Sequence, residues 1–197
     1  PMVGKTILIL GGGVGGIVTA NALRRRLDPQ HRIVVVDKQG EYVFTPSLLW
    51  VMVGWRRPAQ ITKDLRRLLR PGVEVLRAEV EEIAPEQSVV RAGGQELAYD
   101  YLVVALGADL APAAMPGFAE AAHTPFDVAG AAGLWSALQG FRGGRVAVVV
   151  AATPYKCPAA PYETALLLDD HFRRRRMRGR VELAVYTPEL APMGVAG

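Results

Sequence analysis

A glycine-rich loop between an apolar strand and a helix narrows the possible folds of this chain more than any other feature. The run Thr6–Leu10 is apolar and predicts a buried strand of a parallel sheet. Gly11, Gly13 and Gly16 follow it in the spacing G-x-G-x-x-G, and apolar residues at helical spacing continue to Leu27. Strand, loop and helix together predict a βαβ unit whose helix N-terminus holds the pyrophosphate of a dinucleotide.

An acidic residue at the end of the next predicted strand supports this interpretation. The strand is Ile33–Asp37, and Asp37 lies 21 residues beyond Gly16. Its carboxylate is expected to accept hydrogen bonds from ribose hydroxyls. Lys38, next in the chain, is included in the predicted cofactor site. A purely structural glycine turn is the alternative, but the loop, its context and the acid together favour nucleotide binding.

Two further features favour FAD over NAD as the nucleotide. Tyr42–Trp50 is apolar, aromatic and interrupted by proline, and it could form a wall for a flavin ring. From Val73 to Val104 the pattern changes to short strands separated by turns, which predicts an antiparallel insert absent from a minimal NAD domain. For Tyr42–Trp50, a buried or partner-contacting loop remains an equally good explanation.

The expected fold is α/β, with a Rossmann-like FAD-binding domain and its antiparallel insert over residues 1–110. Residues 111–197 are expected to begin a second Rossmann-like domain, and to be truncated. Helices are predicted over Ile61–Leu69, Ala129–Leu138 and Thr164–Phe172, and strands over Arg145–Val150 and Val181–Tyr186.

The strand-to-helix turn of the second domain contains the only cysteine of the chain, Cys157, and no glycine between Val150 and Glu163. Proximity to the predicted helix N-terminus and to Lys156 favours the thiolate form. Glu163 could accept a proton from a sulfur species, or it could simply complement the helix dipole. The alternative for Cys157 is a small buried apolar residue.

Composition excludes several classes of function. The net charge of +4 comes without a basic stripe interleaved with aromatic residues, so nucleic acid is not an expected partner. One cysteine cannot form an internal disulfide, and the three histidines show no metal spacing, so no metal is expected. The Arg173–Arg176 run is interpreted as a solvated helix end rather than a lipid contact. No signal peptide is visible.

These residues resemble the sulfide:quinone oxidoreductase and flavocytochrome c sulfide dehydrogenase family of flavoproteins with two dinucleotide-binding domains. The resemblance covers nearly the whole chain. Beyond the glycine loop and Asp37, it rests on four matches: Phe44-Thr45-Pro46 beside the flavin, Val80 at the adenine, Tyr99–Gly107 as the second strand signature, and Lys156–Glu163 as the sulfur site. Leu106 stands where that signature usually has threonine.

The resemblance implies FAD as cofactor, with Gly107, Thr45 and Pro46 among its binding residues. It implies that Cys157 accepts sulfur from sulfide, that Glu163 assists proton transfer, and that electrons pass from the flavin to a quinone or a cytochrome. Family members use a second cysteine and are about twice as long, so we expect this chain to be an N-terminal half. A cytoplasmic or peripheral membrane location through the C-terminal half, and a cytochrome or homo-oligomeric partner, are also expected.

Two alternatives remain at this point. Type II NADH dehydrogenases are similar in the first half, but they need a second glycine loop to hold NADH, and the turn at Cys157 has none. The other alternative is a non-catalytic nucleotide-binding or redox module in which Cys157 only packs.

Overall fold

The computed structural model describes residues 4–192. Its strands are β1 (Thr6–Leu10), β2 (Arg32–Asp37), β3 (Glu41–Val43), β4 (Thr62–Asp64), β5 (Val73–Arg77), β6 (Val80–Ala84), β7 (Val89–Ala92), β8 (Gln95–Ala98), β9 (Tyr101–Val104), β10 (Gly144–Val149) and β11 (Val181–Tyr186). Its α-helices are α1 (Val14–Arg26), α2 (Leu48–Met52), α3 (Pro58–Ile61), α4 (Phe118–Ala121), α5 (Val128–Gly140) and α6 (Ala160–Arg174).

The chain forms two compact units. Among the described residues, unit 1 contains residues 4–44 together with Thr62–Asp109, and unit 2 contains Thr45–Ile61 together with residues 110–192. Each unit has its own hydrophobic core.

Unit 1 is built on a parallel sheet with the strand order β5-β2-β1-β9. Successive side chains of a strand point to opposite faces of the sheet, so each strand contributes side chains to a hydrophobic cluster on both faces. Ile7 and Ile9 of β1 belong to the cluster that includes Ala20 of α1. Leu8 and Leu10 belong to the cluster on the other face, with residues of the antiparallel sheet β6-β7-β8. The result is three layers, and each fully buried side chain of this size stabilises the fold by about 1.5–3 kcal/mol.

The sequence-based helix over Ile61–Leu69 is wrong. Within this range only Ile61 is α-helical, as the last residue of α3. Thr62–Asp64 is a strand that pairs antiparallel with β3, and Leu65–Arg67 is a 3-10 turn. The side chain of Asp64 starts that turn by accepting a hydrogen bond from the Arg66 backbone N–H at 2.7 Å. Ile61, Leu65 and Leu69 are buried at four-residue spacing, which imitates a helical pattern.

The antiparallel insert is confirmed, but it begins later than predicted. Val73–Arg77 pairs parallel with β2 and is therefore the edge strand of the main sheet. The insert itself is β6-β7-β8, joined by antiparallel pairing. Short strands of both kinds have similar composition, so the sequence does not separate them.

Unit 2 contains a parallel strand pair, β10 and β11, connected through α6. This is the expected βαβ unit. Asp127 caps α5 by accepting a hydrogen bond from the Gly130 backbone N–H at 2.6 Å. Residues of α2 and α6 meet in the core around Met52, Leu168 and Phe172.

The division into domains at residues 1–110 and 111–197 stays a prediction. The compact units differ from that division by one segment, Thr45–Ile61, which belongs to unit 2 because α2 packs on α5. The α/β fold with a parallel Rossmann-like sheet and an antiparallel insert is confirmed.

Candidate functional site

The glycine loop of unit 1 connects β1 to α1 and is shaped by close backbone contacts. Gly11 has φ of +99°, a conformation that favours glycine, and its N–H donates to the Val36 carbonyl at 2.7 Å. A Cβ on Gly11 would lie 2.3 Å from the carbonyl oxygen of Ala105. A Cβ on Gly16 would lie 1.9 Å from the carbonyl oxygen of Gly11. Both glycines are therefore required by the fold itself.

Gly13 differs from these two glycines, because a Cβ at this position would meet no atom within 4 Å. Its φ of −76° is one that any residue adopts. Protein packing therefore gives no reason for glycine here. The open space lies at the N-cap of α1, where close approach of a phosphate group would require a residue without a side chain.

The N-terminus of α1 is suited to an anion. The first N–H groups of a helix have no partner within the helix, and they carry partial positive charge. Gly13 offers no side chain to cap them, and the first turn of α1 contains no acidic residue. These donors are therefore left for a ligand or for solvent.

Asp37, at the end of β2, is held against the glycine loop. Its Oδ2 accepts a hydrogen bond from the Gly12 backbone N–H at 2.8 Å. Its Oδ1 accepts from the backbone N–H groups of Gln39 at 2.9 Å and Gly40 at 2.8 Å. A carboxylate offers about four lone-pair sites, so capacity remains on Oδ2 for a ribose hydroxyl. The loop, the helix N-terminus and Asp37 fit the adenosine diphosphate portion of FAD.

The other predicted cofactor residues of unit 1 lie on segments that leave the same sheet. Val80 begins β6, two residues after Ala78, whose N–H donates to the Asp37 carbonyl at 3.1 Å. Gly107 follows β9 with φ of +74°, and a Cβ at this position would meet no atom within 4 Å. Lys38 forms an exposed ion pair with Asp109, with Nζ and Oδ2 3.6 Å apart. Such exposed pairs contribute little to stability.

The predicted flavin wall, Tyr42–Trp50, is divided between the two units. Thr45 and Pro46 lie in an exposed 3-10 turn of unit 2, and Phe44 of unit 1 is also exposed. Leu48 and Leu49 are buried within α2. Part of the apolar character of this segment is therefore explained by packing. The roles of Thr45 and Pro46 beside a flavin stay predictions.

Cys157 lies in the loop between β10 and α6, and its side chain is exposed. It is therefore not the buried packing residue of the alternative interpretation. Its backbone has φ of +63°, in the left-handed region that is uncommon for residues other than glycine. Its carbonyl accepts a hydrogen bond from the N–H of Ala160, the first residue of α6, at 3.0 Å. The loop thus presents the thiol just before a helix N-terminus.

Glu163 lies in the first turn of α6 and is exposed. Across residues 4–192, neither its carboxylate nor the thiol of Cys157 takes part in a hydrogen bond. The structure therefore leaves both groups available to small molecules, with no hydrogen bond between them.

Sequence reasoning missed a cluster of hydroxyl groups beside Cys157. Oε2 of Glu189 accepts hydrogen bonds from Tyr155 Oη at 2.8 Å, Tyr162 Oη at 3.2 Å and Thr187 Oγ1 at 3.1 Å. Burial, together with the hydrogen bond to Glu189, raises the pKa of Tyr155 to about 12. The only available signal was an acidic residue just past a strand of a βαβ unit.

The fold and the glycine loop define a class, the Rossmann-like dinucleotide-binding proteins. The chain belongs to the pyridine nucleotide-disulphide oxidoreductase family, whose model matches residues 5–153. This is a family of FAD-binding flavoproteins.

Several proteins of similar sequence are named as sulfide:quinone oxidoreductases or reductases. The chain is 32% identical over 198 residues to the sulfide-quinone reductase of Aquifex aeolicus, covering 98% of this chain and 46% of that protein. It is 28% identical over 187 residues to the mitochondrial sulfide:quinone oxidoreductase of Mus musculus, covering 92% and 41%. The solved structure of sulfide:quinone oxidoreductase from Aquifex aeolicus matches with a TM-score of 0.86 and 28% identity, over 98% of this chain and 46% of that one.

The resemblance drawn from the sequence motifs is therefore confirmed. A weaker similarity extends to the alternative NAD(P)H-ubiquinone oxidoreductase C1 of Arabidopsis thaliana, with 31% identity over 138 residues, covering 61% of this chain and 26% of that protein. The chain spans less than half the length of the sulfide-oxidising relatives. None of the helices within residues 4–192 combines the length and the apolar character that crossing a membrane requires.

Proposed function

We propose that the protein is an FAD-dependent oxidoreductase that oxidises sulfide at Cys157 and passes the electrons to a quinone. The observation that carries the proposal is the β10–α6 turn. A nucleotide-binding turn would have a glycine loop there, whereas this one has an exposed thiol in a left-handed backbone conformation. The similarity to proteins named sulfide:quinone oxidoreductase supports the same chemistry.

Gly11, Gly13, Gly16 and Asp37 would hold the cofactor through the contacts described above. Bound flavin would supply a two-electron acceptor, and a quinone would reoxidise it. Lys38, Thr45, Pro46, Val80 and Gly107 complete the proposed set of binding residues. The proposal assigns no metal.

Cys157 acts in this proposal as the sulfur acceptor. A sulfur–sulfur bond forms between its Sγ and the sulfur of hydrogen sulfide, giving a persulfide. The thiol and the sulfide together lose two electrons and two protons, which a bound flavin and then a quinone would accept. Glu163 accepts a proton as sulfide or thiol ionises, because its exposed carboxylate stands in the first turn of the helix that follows Cys157.

Other family features belong to the proposal as well. A second redox cysteine would have to come from outside this sequence, since Cys157 is the only one here. A peripheral membrane location would bring the protein to its quinone. A cytochrome in place of the quinone, or a homo-oligomer, would fit the same electron path.

Reduction by NADH is the competing function, because the Arabidopsis relative is named for it. A turn without glycine cannot bring its backbone close to a second pyrophosphate. The side chains of Tyr155, Lys156 and Cys157 occupy that turn instead. Sulfide is therefore the favoured electron donor.

The test is an anaerobic titration of the FAD-loaded protein with sodium sulfide, following loss of flavin absorbance. We expect bleaching with the unmodified protein and a loss of at least about a hundredfold in rate with Cys157→Ser, typical of removing a nucleophile. Glu163→Gln should be slowed by about tenfold to a hundredfold. Equal bleaching of Cys157→Ser and unmodified protein would exclude the thiol mechanism. Faster reduction by NADH than by sulfide would favour the dehydrogenase instead.

A further inference from the structure

The carboxylate of Glu189 gathers hydroxyl groups from three parts of unit 2. Tyr155 precedes Cys157 in the β10–α6 loop, Tyr162 lies in the first turn of α6, and Thr187 follows β11. All three donate to Oε2 of Glu189, at 2.8, 3.2 and 3.1 Å respectively. One oxygen atom therefore joins the cysteine loop, the following helix and the neighbouring strand end.

Glu189 is partly buried, and no basic side chain forms an ion pair with it anywhere in residues 4–192. A partly buried carboxylate is unfavourable unless hydrogen-bond donors replace the water it loses. Three neutral hydroxyl donors fill this role, and the Glu189 backbone N–H also donates to Thr187 Oγ1 at 3.2 Å. Oε2 of Glu189 is thus satisfied by donors from the protein itself, and the shortest of these hydrogen bonds comes from Tyr155.

Tyr155 connects Glu189 to the loop that contains Cys157. Its hydroxyl lies 2.8 Å from Glu189 and 3.4 Å from the carbonyl oxygen of Pro158, so the phenol reaches across the loop that contains Cys157. The pKa of Tyr155 is raised to about 12 by burial and by Glu189, so the hydroxyl stays protonated and remains a donor at neutral pH.

Cys157 needs such support because of its backbone. A φ of +63° is unfavourable for a residue with a Cβ, and such conformations persist only where surrounding contacts enforce them. The hydrogen bond from Ala160 to the Cys157 carbonyl holds the loop on the helix side. Tyr155 and Glu189 hold it on the strand side.

We propose that Glu189 is a positioning residue for Cys157, acting through Tyr155 to keep the thiol exposed ahead of the N-terminus of α6. This rests on the proposed function, in which Cys157 is the sulfur acceptor, and it assigns to Glu189 a part in setting thiol reactivity. Glu189 itself does not touch the sulfur in this role.

The test measures the second-order rate at which iodoacetamide alkylates Cys157 at neutral pH, which reports the thiol because the sequence has no other cysteine. We expect Glu189→Ala and Tyr155→Phe to slow alkylation by about three- to tenfold, as the thiol loses its exposed position ahead of the helix. Glu189→Gln should restore most of the rate, because its amide oxygen still accepts hydrogen bonds. Thr187→Val, which removes a donor outside the cysteine loop, should stay within about twofold.

Phenolate absorbance at 295 nm supplies a second readout. Tyr155 is surrounded by Glu189, Tyr162, Cys157 and the adjacent Lys156, and removing the charge of Glu189 should let it ionise at lower pH in both Glu189 variants. Circular dichroism identifies any variant that fails to fold, and Tyr155→Phe keeps the test decisive if Glu189→Ala is one. An unchanged alkylation rate in both Glu189→Ala and Tyr155→Phe would overturn the inference, as would a Glu189→Gln rate equal to that of Glu189→Ala.

The two proposals can fail separately. Slower alkylation without sulfide-dependent bleaching would leave the positioning role intact and remove the sulfide function. Sulfide-dependent bleaching that requires Cys157, together with an alkylation rate that does not depend on Glu189, would support the sulfide function and remove the positioning role.

Discussion

The backbone N–H of Gly12 donates to Oδ2 of Asp37 at 2.8 Å, so the glycine loop and the end of the second strand are joined directly. The two residues are 25 positions apart in the chain. The acid therefore has a structural role in addition to the ribose contact proposed for it, and the two roles can be separated by substitution.

Replacing Asp37 should affect stability as well as FAD binding. Asp37→Ala leaves three backbone N–H groups without their acceptor, which should lower the free energy of unfolding by about 1–3 kcal/mol. Asp37→Asn keeps one side-chain oxygen and should cost less. Urea denaturation measures both. Asp109→Asn removes only an exposed ion-pair partner and should change stability by less than about 0.5 kcal/mol; a similar loss at both positions would contradict the structural role of Asp37.

Gly13 and Gly16 should respond differently to alanine. Gly16→Ala places a Cβ 1.9 Å from the Gly11 carbonyl oxygen and should destabilise the protein by about 3 kcal/mol. Gly13→Ala meets open space and should cost less than about 1 kcal/mol, the usual range for an N-cap change.

FAD titration tests the phosphate contact proposed for Gly13. Gly13→Ala should raise the Kd for FAD by at least about tenfold, or 1.4 kcal/mol, because its Cβ takes the space proposed for a phosphate. Flavin fluorescence measures the binding. Undiminished affinity in a stable Gly13→Ala protein would mean that the pyrophosphate does not approach this residue.

His171 should make the protein sensitive to acid. It is buried on α6 against Trp135 and Phe172, and within residues 4–192 its Nε2 has no hydrogen-bond partner. Burial, and then the charge of Arg175, lower the pKa of His171, while Asp170 opposes this. The unfolded chain therefore binds the proton first as pH falls below about 6.5, and stability decreases from that pH downward.

Denaturation midpoints between pH 7.5 and 5 test this expectation. His171→Leu should flatten the pH dependence, since it removes the titrating group and leaves no polar atom unsatisfied. His123 is exposed and provides the control, so His123→Gln should retain the acid sensitivity. If the denaturation midpoint depends equally on pH in His171→Leu and in the unmodified protein, groups other than His171 cause the acid sensitivity.

Gly54 should be critical for the packing of unit 2. It has φ of +76°, and a Cβ there would lie 2.5 Å from the ring of Trp135. Gly54→Ala combines backbone strain with this clash and should destabilise the protein by about 2 kcal/mol or more. Gly133→Ala, in the same helix as Trp135 with open space around it, should be neutral or stabilising by up to about 1 kcal/mol. Thermal melts of the two variants provide the comparison.

The sequence was most informative where a pattern is local. Gly11, Gly13 and Gly16 lie within six residues, and their predicted loop between strand and helix is confirmed. The segment Thr62–Asp64 was misjudged because its pairing with β3 comes from outside the helical window, while buried Leu65 and Leu69 imitate helical periodicity.

The cluster around Glu189 could not be predicted in the same way. Tyr155 and Tyr162 are 34 and 27 residues before Glu189, and only the return of β11 beside β10 brings them together. Nor does composition reveal the left-handed backbone of Cys157, since that conformation depends on contacts at both ends of its loop.

The segment Thr45–Ile61, which belongs to unit 2 although it lies between two parts of unit 1 in the chain, has a consequence for synthesis of the protein. These residues are synthesised well before α5, on which α2 packs, because α5 begins only at Val128. Until then the apolar side chains of α2 lack the helix that buries them, so the nascent chain carries them exposed. A single cut after residue 110 would make that exposure permanent. Isolating unit 1 as a stable protein would therefore require replacing Thr45–Ile61 with a short polar connection between β3 and β4.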